Sequence, residues 1–347
     1  MFGSNLQLKI NFRIKFIVFF AGFFIPFILN AQPREVVAKK GEGVYRLLTR
    51  NGLSASEYMD AFIELNKDRL GEDNMLFAGL KYILPDTEID PTAAAETTTS
   101  PVKTARFDIF GEDYAEVEIL DDKLDGAIYY LVAGHGGPDP GAVGYYNNRM
   151  LCEDEYAYDV TLRLARKLIE YGATVYMITR DQDDGIRDES YLKPDKDERC
   201  YPNQVIPINQ LRRLRQRTDA VNNLYRKNRG AFQRMIAIHV DARSHGENID
   251  VFFYHDRRST NGEKASRTLQ NKFQEKYDTH QPGRGYHGTV SPRALYVVRN
   301  TYPVAVYIEL GNINHFRDQQ RFILPNNRQA LANWLTEGLL DDFDNNK

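Results

Sequence analysis

The chain has 347 residues, enough for about two domains of ordinary size. Its 45 basic and 48 acidic side chains leave a formal charge of −3, which argues against the strongly basic domain typical of nucleic-acid binding. Apolar residues make up 42%, so a folded core is expected, whereas the two cysteines, Cys152 and Cys200, are too few for a disulfide scaffold or a four-cysteine zinc site.

The N-terminus has the three parts of a secretory signal peptide. Three basic residues come first: Lys9, Arg13 and Lys15. An apolar run over 16–29 follows, and then Ala31, a small residue suited to cleavage. The run has about fourteen residues, whereas a helix that spans a membrane needs roughly 20, so an uncleaved anchor is the weaker alternative. We therefore predict a signal peptide over 1–31 and export to the periplasm or cell envelope.

Residues 32–86 are predicted to form a compact β-α-α-β unit. Val36-Val37 indicates the first strand, and Asn51-Gly52 ends the first helix. Ser54 and Glu57 have the spacing of a capping box at the start of the second helix. Alternating apolar residues before Pro85 predict the closing strand.

This unit resembles a LysM module, the small peptidoglycan-binding domain. The matching segments are VAKKGE at 37–42, GLS at 52–54, LN at 65–66 and AGLKYILP at 78–85. Gly43 departs from the pattern, because the family usually has Thr there. The resemblance implies that residues 32–86 bind peptidoglycan.

A polar segment over 87–106, rich in Ala, Thr and Pro, is predicted to be a flexible linker. Strands then alternate with helices through 107–347, which predicts an α/β domain with a mainly parallel twisted sheet and helices on both faces. The predicted strands lie at 127–133, 174–178, 235–239 and 304–308, and the predicted helices at 153–171, 208–228 and 328–340.

Two histidines end predicted apolar strands: His135 and His239. In open α/β sheets, binding sites gather at the carboxyl ends of the strands. The glycines around His135 allow a sharp turn and a close approach to a bound ion. Zinc in hydrolases commonly has two histidines and a carboxylate as ligands, with the fourth position open to water. The pattern therefore predicts a metal site whose third ligand lies between the two histidines.

Glu153 and Glu155 are the two candidates for that third ligand. A helical face through Glu153 continues with apolar residues, whereas the face through Glu155 reaches Arg166 and Glu170. This periodicity favours Glu153 and leaves Glu155 as the alternative. The alternative for either residue is a purely structural role, because a negative charge at a helix N-terminus stabilises the helix.

Glu309 follows an apolar strand and precedes Gly311 and two asparagines. A carboxylate next to the metal site would serve as general base and then as acid for the leaving amine. The alternative interpretation is a solvated loop glutamate.

These features together resemble the zinc-dependent N-acetylmuramoyl-L-alanine amidases. The most specific motif is AGHGGPDPGAVG over 133–144. The remaining matches are Glu153, ITR at 178–180, Leu214, Arg217, Asn222, IHVD at 238–241 and PVAVYIE at 303–309. The similarity covers about 126–340.

The resemblance implies zinc on His135, Glu153 and His239, with Glu309 as the catalytic residue. It implies hydrolysis of the amide between N-acetylmuramic acid and L-alanine, in cell-wall remodelling or daughter-cell separation. The resemblance leaves open whether an activator or regulatory protein takes part. The alternatives are a wall-binding protein without activity and a metal-dependent hydrolase for another amide.

Two features depart from the family pattern. Residues 181–207 form a charged insertion, and Asn312 stands where Phe is usual. Cys152 and Cys200 would be able to pair in an oxidising compartment if the fold brings them together. Four other histidines are interpreted as surface or packing residues: His245, His255, His287 and His315.

Overall fold

A computed structural model of the chain describes residues 34–39, 42–53, 55–71, 74, 76–86, 103–242 and 248–347. The predicted signal peptide, most of the predicted linker and His245 lie outside these residues. The described residues belong to one compact unit from Arg34 to Lys347. Among them, no helix combines the length and the apolar character that a membrane crossing needs.

The N-terminal unit, residues 34–86, has the predicted β-α-α-β order. Its elements are β1 Glu35–Val37, α1 Val44–Thr49, α2 Ala55–Asn66 and β2 Lys81–Ile83. β1 and β2 pair as antiparallel strands. Buried Asn66 joins α2 to β2, because its side chain donates to the carbonyl of Ile83 (2.8 Å) and accepts from the same residue's N–H (2.7 Å). The order of elements is therefore confirmed, whereas the resemblance to LysM stays a prediction.

The C-terminal part, residues 103–347, alternates strands and helices. Its strands are β3 Thr104–Arg106, β4 Glu116–Glu118, β5 Ala127–Ala133, β6 Val143–Tyr146, β7 Arg149–Cys152, β8 Thr174–Met177, β9 Thr179–Arg180, β10 Arg199–Cys200, β11 Gln204–Val205, β12 Phe232–Asp241, β13 Phe252–His255, β14 Val290–Pro292 and β15 Val304–Asn312. Its helices are α3 Glu153–Glu170, α4 Gln210–Lys227, α5 Thr260–His280, α6 Tyr296–Asn300, α7 Phe316–Ile323 and α8 Pro325–Asp344. β3 lies at the end of the predicted linker and pairs with β4, so regular structure resumes before residue 107.

The central sheet of the described residues has the strand order β14-β13-β15-β12-β5-β8. Its neighbouring strands are parallel except for the antiparallel pair β13 and β15. The prediction of a mainly parallel sheet is therefore confirmed.

Helices cover both faces of this sheet. In β5, Tyr129 and Leu131 belong to the apolar cluster that includes residues of α3, α5 and α8. Tyr130 and Val132 belong to a second cluster that includes residues of α4 and α6. Because both faces are buried, β5 is a continuous apolar run, as parallel strands usually are. The α/β architecture predicted from the sequence is thus confirmed.

The N-terminal unit contacts the start of α8. The side-chain oxygen of Asn326 accepts a hydrogen bond from the N–H of Val44 (3.1 Å), and its nitrogen donates to the carbonyl of Asn74 (3.2 Å). Gly43 lies against the same amide, since a Cβ atom there would come within 2.5 Å of the Asn326 oxygen. The glycine that departs from the LysM pattern therefore permits this close approach.

Candidate metal centre

Three predicted site residues meet at the carboxyl-end edge of the central sheet. His135 follows β5, His239 lies in β12, and Glu153 is the first residue of α3. One donor atom from each lies within 4.8 Å of the other two. Two imidazole nitrogens and a carboxylate oxygen at this separation are a donor set suited to zinc.

His135 has a φ of 57°, in a region that residues other than glycine seldom adopt. Arg217 donates to its carbonyl, and an oxygen of Asp139 lies 2.9 Å from its Nδ1 atom. These contacts leave Nε2 facing a Glu153 oxygen at 3.2 Å. Burial opposes protonation, but hydrogen bonds to Asp139 and Glu153 outweigh it and raise the pKa of His135 to about 9.

Glu153 is 4% exposed, and both of its carboxylate oxygens are engaged. One accepts from the N–H of Ala142 (2.8 Å), and the other accepts from the N–H of Val240 (3.0 Å) and lies 2.8 Å from Nδ1 of His239. Burial alone would raise the pKa of Glu153, but hydrogen bonds with the two histidines lower it. The carboxylate is therefore held ionised, in the form that binds a cation.

His239 is stacked on Tyr307, with ring centroids 4.3 Å apart and an interplanar angle of 17°. The centroid of its ring lies 5.1 Å from the centroid of the His135 ring, and the two rings are nearly perpendicular. Burial lowers the pKa of His239 despite its hydrogen bond with Glu153. A neutral imidazole is the form that ligates metals.

Glu309 lies beside His239, because these two residues are partners in the parallel register of β12 and β15. The strand continues past the predicted end at Ile308 to Asn312. The side chain is 6% exposed, so Glu309 is not the solvated loop residue of the alternative interpretation. Its Oε2 atom is buried and has no hydrogen-bond partner among the described residues. Burial and the nearby carboxylates of Glu153 and Asp241 raise its pKa well above the usual range.

Glu155 lies outside the group formed by Glu153 and the histidines. It accepts hydrogen bonds from Arg187 (2.9 Å) and from the N–H of Asp195 (3.1 Å). The premise that only one face of this helix is buried is wrong, since nearly every residue of α3 is buried. On the face through Glu155, residues of the insertion contact Glu155, and the carbonyls of Tyr114 and Glu116 accept hydrogen bonds from Arg166.

Sequence reasoning gave no role to Arg213, whose guanidinium pairs with Asp139. Cys152 and Cys200 are buried free thiols, and burial raises the pKa of each to about 11. His255 and His315 are buried and His287 is exposed, and none of these three belongs to the group of His135, Glu153 and His239.

A family model described as N-acetylmuramoyl-L-alanine amidase matches residues 130–341, more than half of the chain. The chain belongs to this amidase family. It is accordingly an amidase of peptidoglycan that acts on the bond between N-acetylmuramic acid and L-alanine.

Three individual amidases are similar to parts of this chain. The germination-specific N-acetylmuramoyl-L-alanine amidase of Bacillus subtilis (strain 168) is 27% identical over 222 residues, which cover 63% of this chain and 81% of the relative. The CwlD amidase of Clostridioides difficile, solved in complex with the GerS lipoprotein, is 18% identical with a TM-score of 0.47, covering 62% of this chain and 98% of that one. The catalytic domain of CwlV from Bacillus (Paenibacillus) polymyxa var. colistinus is 19% identical with a TM-score of 0.46, covering 63% and 98%.

Proposed function

We propose that this amidase is zinc-dependent and that His135, Glu153 and His239 hold the ion. The observation that carries the proposal is the convergence of their three donor atoms within 4.8 Å. When bound, zinc polarises the scissile carbonyl and lowers the pKa of water to about 7 in favourable sites. The ionised Glu153 would offset part of the charge of the ion.

Glu309 is proposed as the residue that moves the proton. It lies beside His239, its Oε2 atom has no hydrogen-bond partner among the described residues, and its pKa is raised. A carboxylate with a raised pKa accepts a proton from water more readily than an ordinary one, and its acid form then supplies that proton to the departing nitrogen of L-alanine. Glu309 therefore serves as base and then as acid.

The test of zinc dependence is the variant His239→Ala. Because three protein ligands are needed to hold the ion, we expect this variant to lose zinc and activity together. Zinc content and the release of new N-terminal alanine from purified sacculi would be measured side by side. An undiminished rate in a zinc-free variant would refute the proposal. His287→Ala, at an exposed histidine outside the site, is the matched control.

Residues 32–86 are proposed as a LysM-like module that binds glycan, joined by residues 87–106 to a catalytic domain over 107–347. A binding module raises the local concentration of the enzyme on an insoluble polymer. Deletion of residues 32–86 should therefore weaken retention on sacculi and leave turnover of a soluble muropeptide nearly unchanged. Equal retention of both forms would argue against this role.

The proposed setting is the cell envelope, reached through the signal peptide over 1–31. A peptidoglycan amidase meets its polymer outside the cytoplasm, which agrees with the basic and apolar pattern of the N-terminus. Cell-wall remodelling or daughter-cell separation is the proposed physiological role.

A further inference from the structure

The charged insertion over 181–207 reaches the loop that carries His135. Its Glu198 accepts a hydrogen bond from the N–H of Gly137 at 2.6 Å. Glu198 is 4% exposed, so this hydrogen bond is shielded from water. It joins residues that are 61 positions apart in the chain. The contact connects a segment that departs from the family pattern to the metal-ligand loop.

The end of the insertion makes two further contacts with the same loop. Ile206 packs against Gly137, where an added Cβ atom would lie 2.9 Å from the Cβ of Ile206. Arg213 donates to the carbonyls of Pro207 and Ile208 and also pairs with Asp139. Because Asp139 contacts Nδ1 of His135, these contacts reach the ring of a proposed ligand.

The loop around His135 depends on such contacts, because it is rich in glycine and His135 itself has a strained backbone conformation. His135 has a φ of 57°, and Gly136, Gly137 and Gly141 have φ values of 94°, 65° and 69°. Glycine is the most flexible residue in an unfolded or mobile loop, and a non-glycine residue with positive φ persists only where its surroundings enforce it. Within the loop the N–H of Gly136 donates to the carbonyl of Asp139 (2.8 Å), and the contacts from Arg217 and Glu198 restrain it from outside.

We propose that the insertion acts as a clamp that pre-organises the loop of His135 for zinc, with Glu198 as its main positioning residue. The inference rests on the proposed zinc site and gives the insertion a role in it. Glu198 does not touch the metal donors, and it acts through the backbone N–H of Gly137. Residues that orient a metal ligand typically change metal affinity by about 10- to 100-fold when removed.

The test compares two changes at Glu198. Glu198→Ala removes the acceptor and should weaken zinc affinity by about 10- to 100-fold. Glu198→Gln keeps an acceptor oxygen and removes the charge, so zinc affinity should stay within about threefold of wild type. Loss of this charge also relieves repulsion with Asp154 and Glu155, whose oxygens lie within 4.8 Å of Glu198. Glu189→Ala, at an exposed glutamate of the same insertion, is the matched control.

Three readouts separate positioning from general destabilisation. Zinc affinity is measured by competition with a chelating dye, well below the unfolding temperature of each metal-free variant. The absorption spectrum of the cobalt-substituted protein reports the geometry of the ligands, and we expect it to change in Glu198→Ala and to be restored in Glu198→Gln. Thermal unfolding of the metal-free proteins shows whether any loss of affinity reflects unfolding.

The outcomes distinguish this inference from the function on which it rests. If wild type binds no zinc, the proposed metal site and the clamp both fail. If wild type binds zinc and Glu198→Ala binds it equally well with an unchanged cobalt spectrum, only the clamp is refuted. Equal losses in Glu198→Ala and Glu198→Gln would also refute it, because charge rather than the hydrogen bond would then be responsible.

Discussion

The Nδ1 atom of His135 lies 2.9 Å from an oxygen of Asp139, and the same carboxylate pairs with Arg213. A hydrogen bond of this kind fixes which nitrogen of a metal-binding histidine carries the proton and raises the basicity of the other. Here it leaves Nε2 directed at Glu153. Asp139 is therefore expected to contribute to zinc binding without touching the ion.

Asp139→Ala should lower zinc affinity by about 10- to 100-fold, because the ring of His135 loses its partner. Asp139→Asn keeps an acceptor oxygen and should fall between this variant and wild type. The measurement is zinc affinity by competition with a chelating dye. Asp219→Ala, at an exposed aspartate of α4, is the control. An unchanged affinity in Asp139→Ala would show that the ring is oriented by other contacts.

Replacement of the two glutamates at the start of α3 should have separate effects. Glu153→Ala removes a proposed ligand, so zinc content should fall sharply. Glu155→Ala should keep zinc near the wild-type level but unfold at a lower temperature, because Arg187 and the N–H of Asp195 lose their acceptor. Zinc content and thermal unfolding are measured on both variants. The reverse pattern of zinc loss would assign the third ligand to Glu155.

The positions of the candidate site residues were largely predictable, because they lie in or next to short segments with recognisable sequence patterns. His135 follows β5 and His239 lies near the end of β12, and parallel strands bring their carboxyl ends to one edge of a sheet. Glu153 was favoured through a premise that proved wrong, since α3 is buried on nearly all sides. The preference for Glu153 agrees with the geometry, although the periodicity behind it does not hold.

The supporting contacts were not predictable, because they join distant segments without a regular spacing. Glu198 and Gly137 are 61 positions apart, and Arg213 and Asp139 are 74 apart. The sequence identified 181–207 only as a charged insertion and gave no role to Glu198, which is almost fully buried. Such pairings depend on how the insertion folds back over α3, which local sequence does not specify.

Stability at low pH should depend on Asp159, which is fully buried and accepts hydrogen bonds from Arg163 (2.8 Å) and Arg328 (2.6 Å). Burial alone would raise its pKa, but the two guanidinium groups lower it to about 2. Because this pKa lies below the unfolded value, the stabilisation is complete above about pH 4 and declines as pH falls towards 2. At pH 2, protonation of Asp159 lowers the free energy of unfolding by about 2 kcal/mol.

Asp159→Asn should lower the free energy of unfolding at pH 7 by about 3–5 kcal/mol, because two buried guanidinium groups lose the carboxylate that they share and only Arg163 keeps another, Asp188. Urea unfolding at pH 7 and at low pH measures both effects. Asp108→Asn, in an exposed ion pair with Arg106, is the control and should leave the free energy of unfolding nearly unchanged. A variant at Asp159 with the stability and acid sensitivity of wild type would contradict this account.

Glu309→Gln tests the proposed proton transfer. The change keeps the size of the side chain and removes its ability to take up a proton. We expect turnover of sacculi to fall by about 10²–10⁴-fold, the usual contribution of general acid–base catalysis. Zinc content, measured by atomic absorption, should stay near one per chain because Glu309 lies outside the three-residue donor group.

Glu263→Gln, at an exposed glutamate paired with Arg267, is the control and should retain full activity. Thermal unfolding of Glu309→Gln should match or exceed wild type, because Glu309 is buried and its Oε2 atom has no hydrogen-bond partner among the described residues. Loss of zinc along with activity would make Glu309 a ligand and exchange its role with that of Glu153. Activity within a few-fold of wild type would place the base elsewhere, and Asp241, two residues after His239, would be tested next.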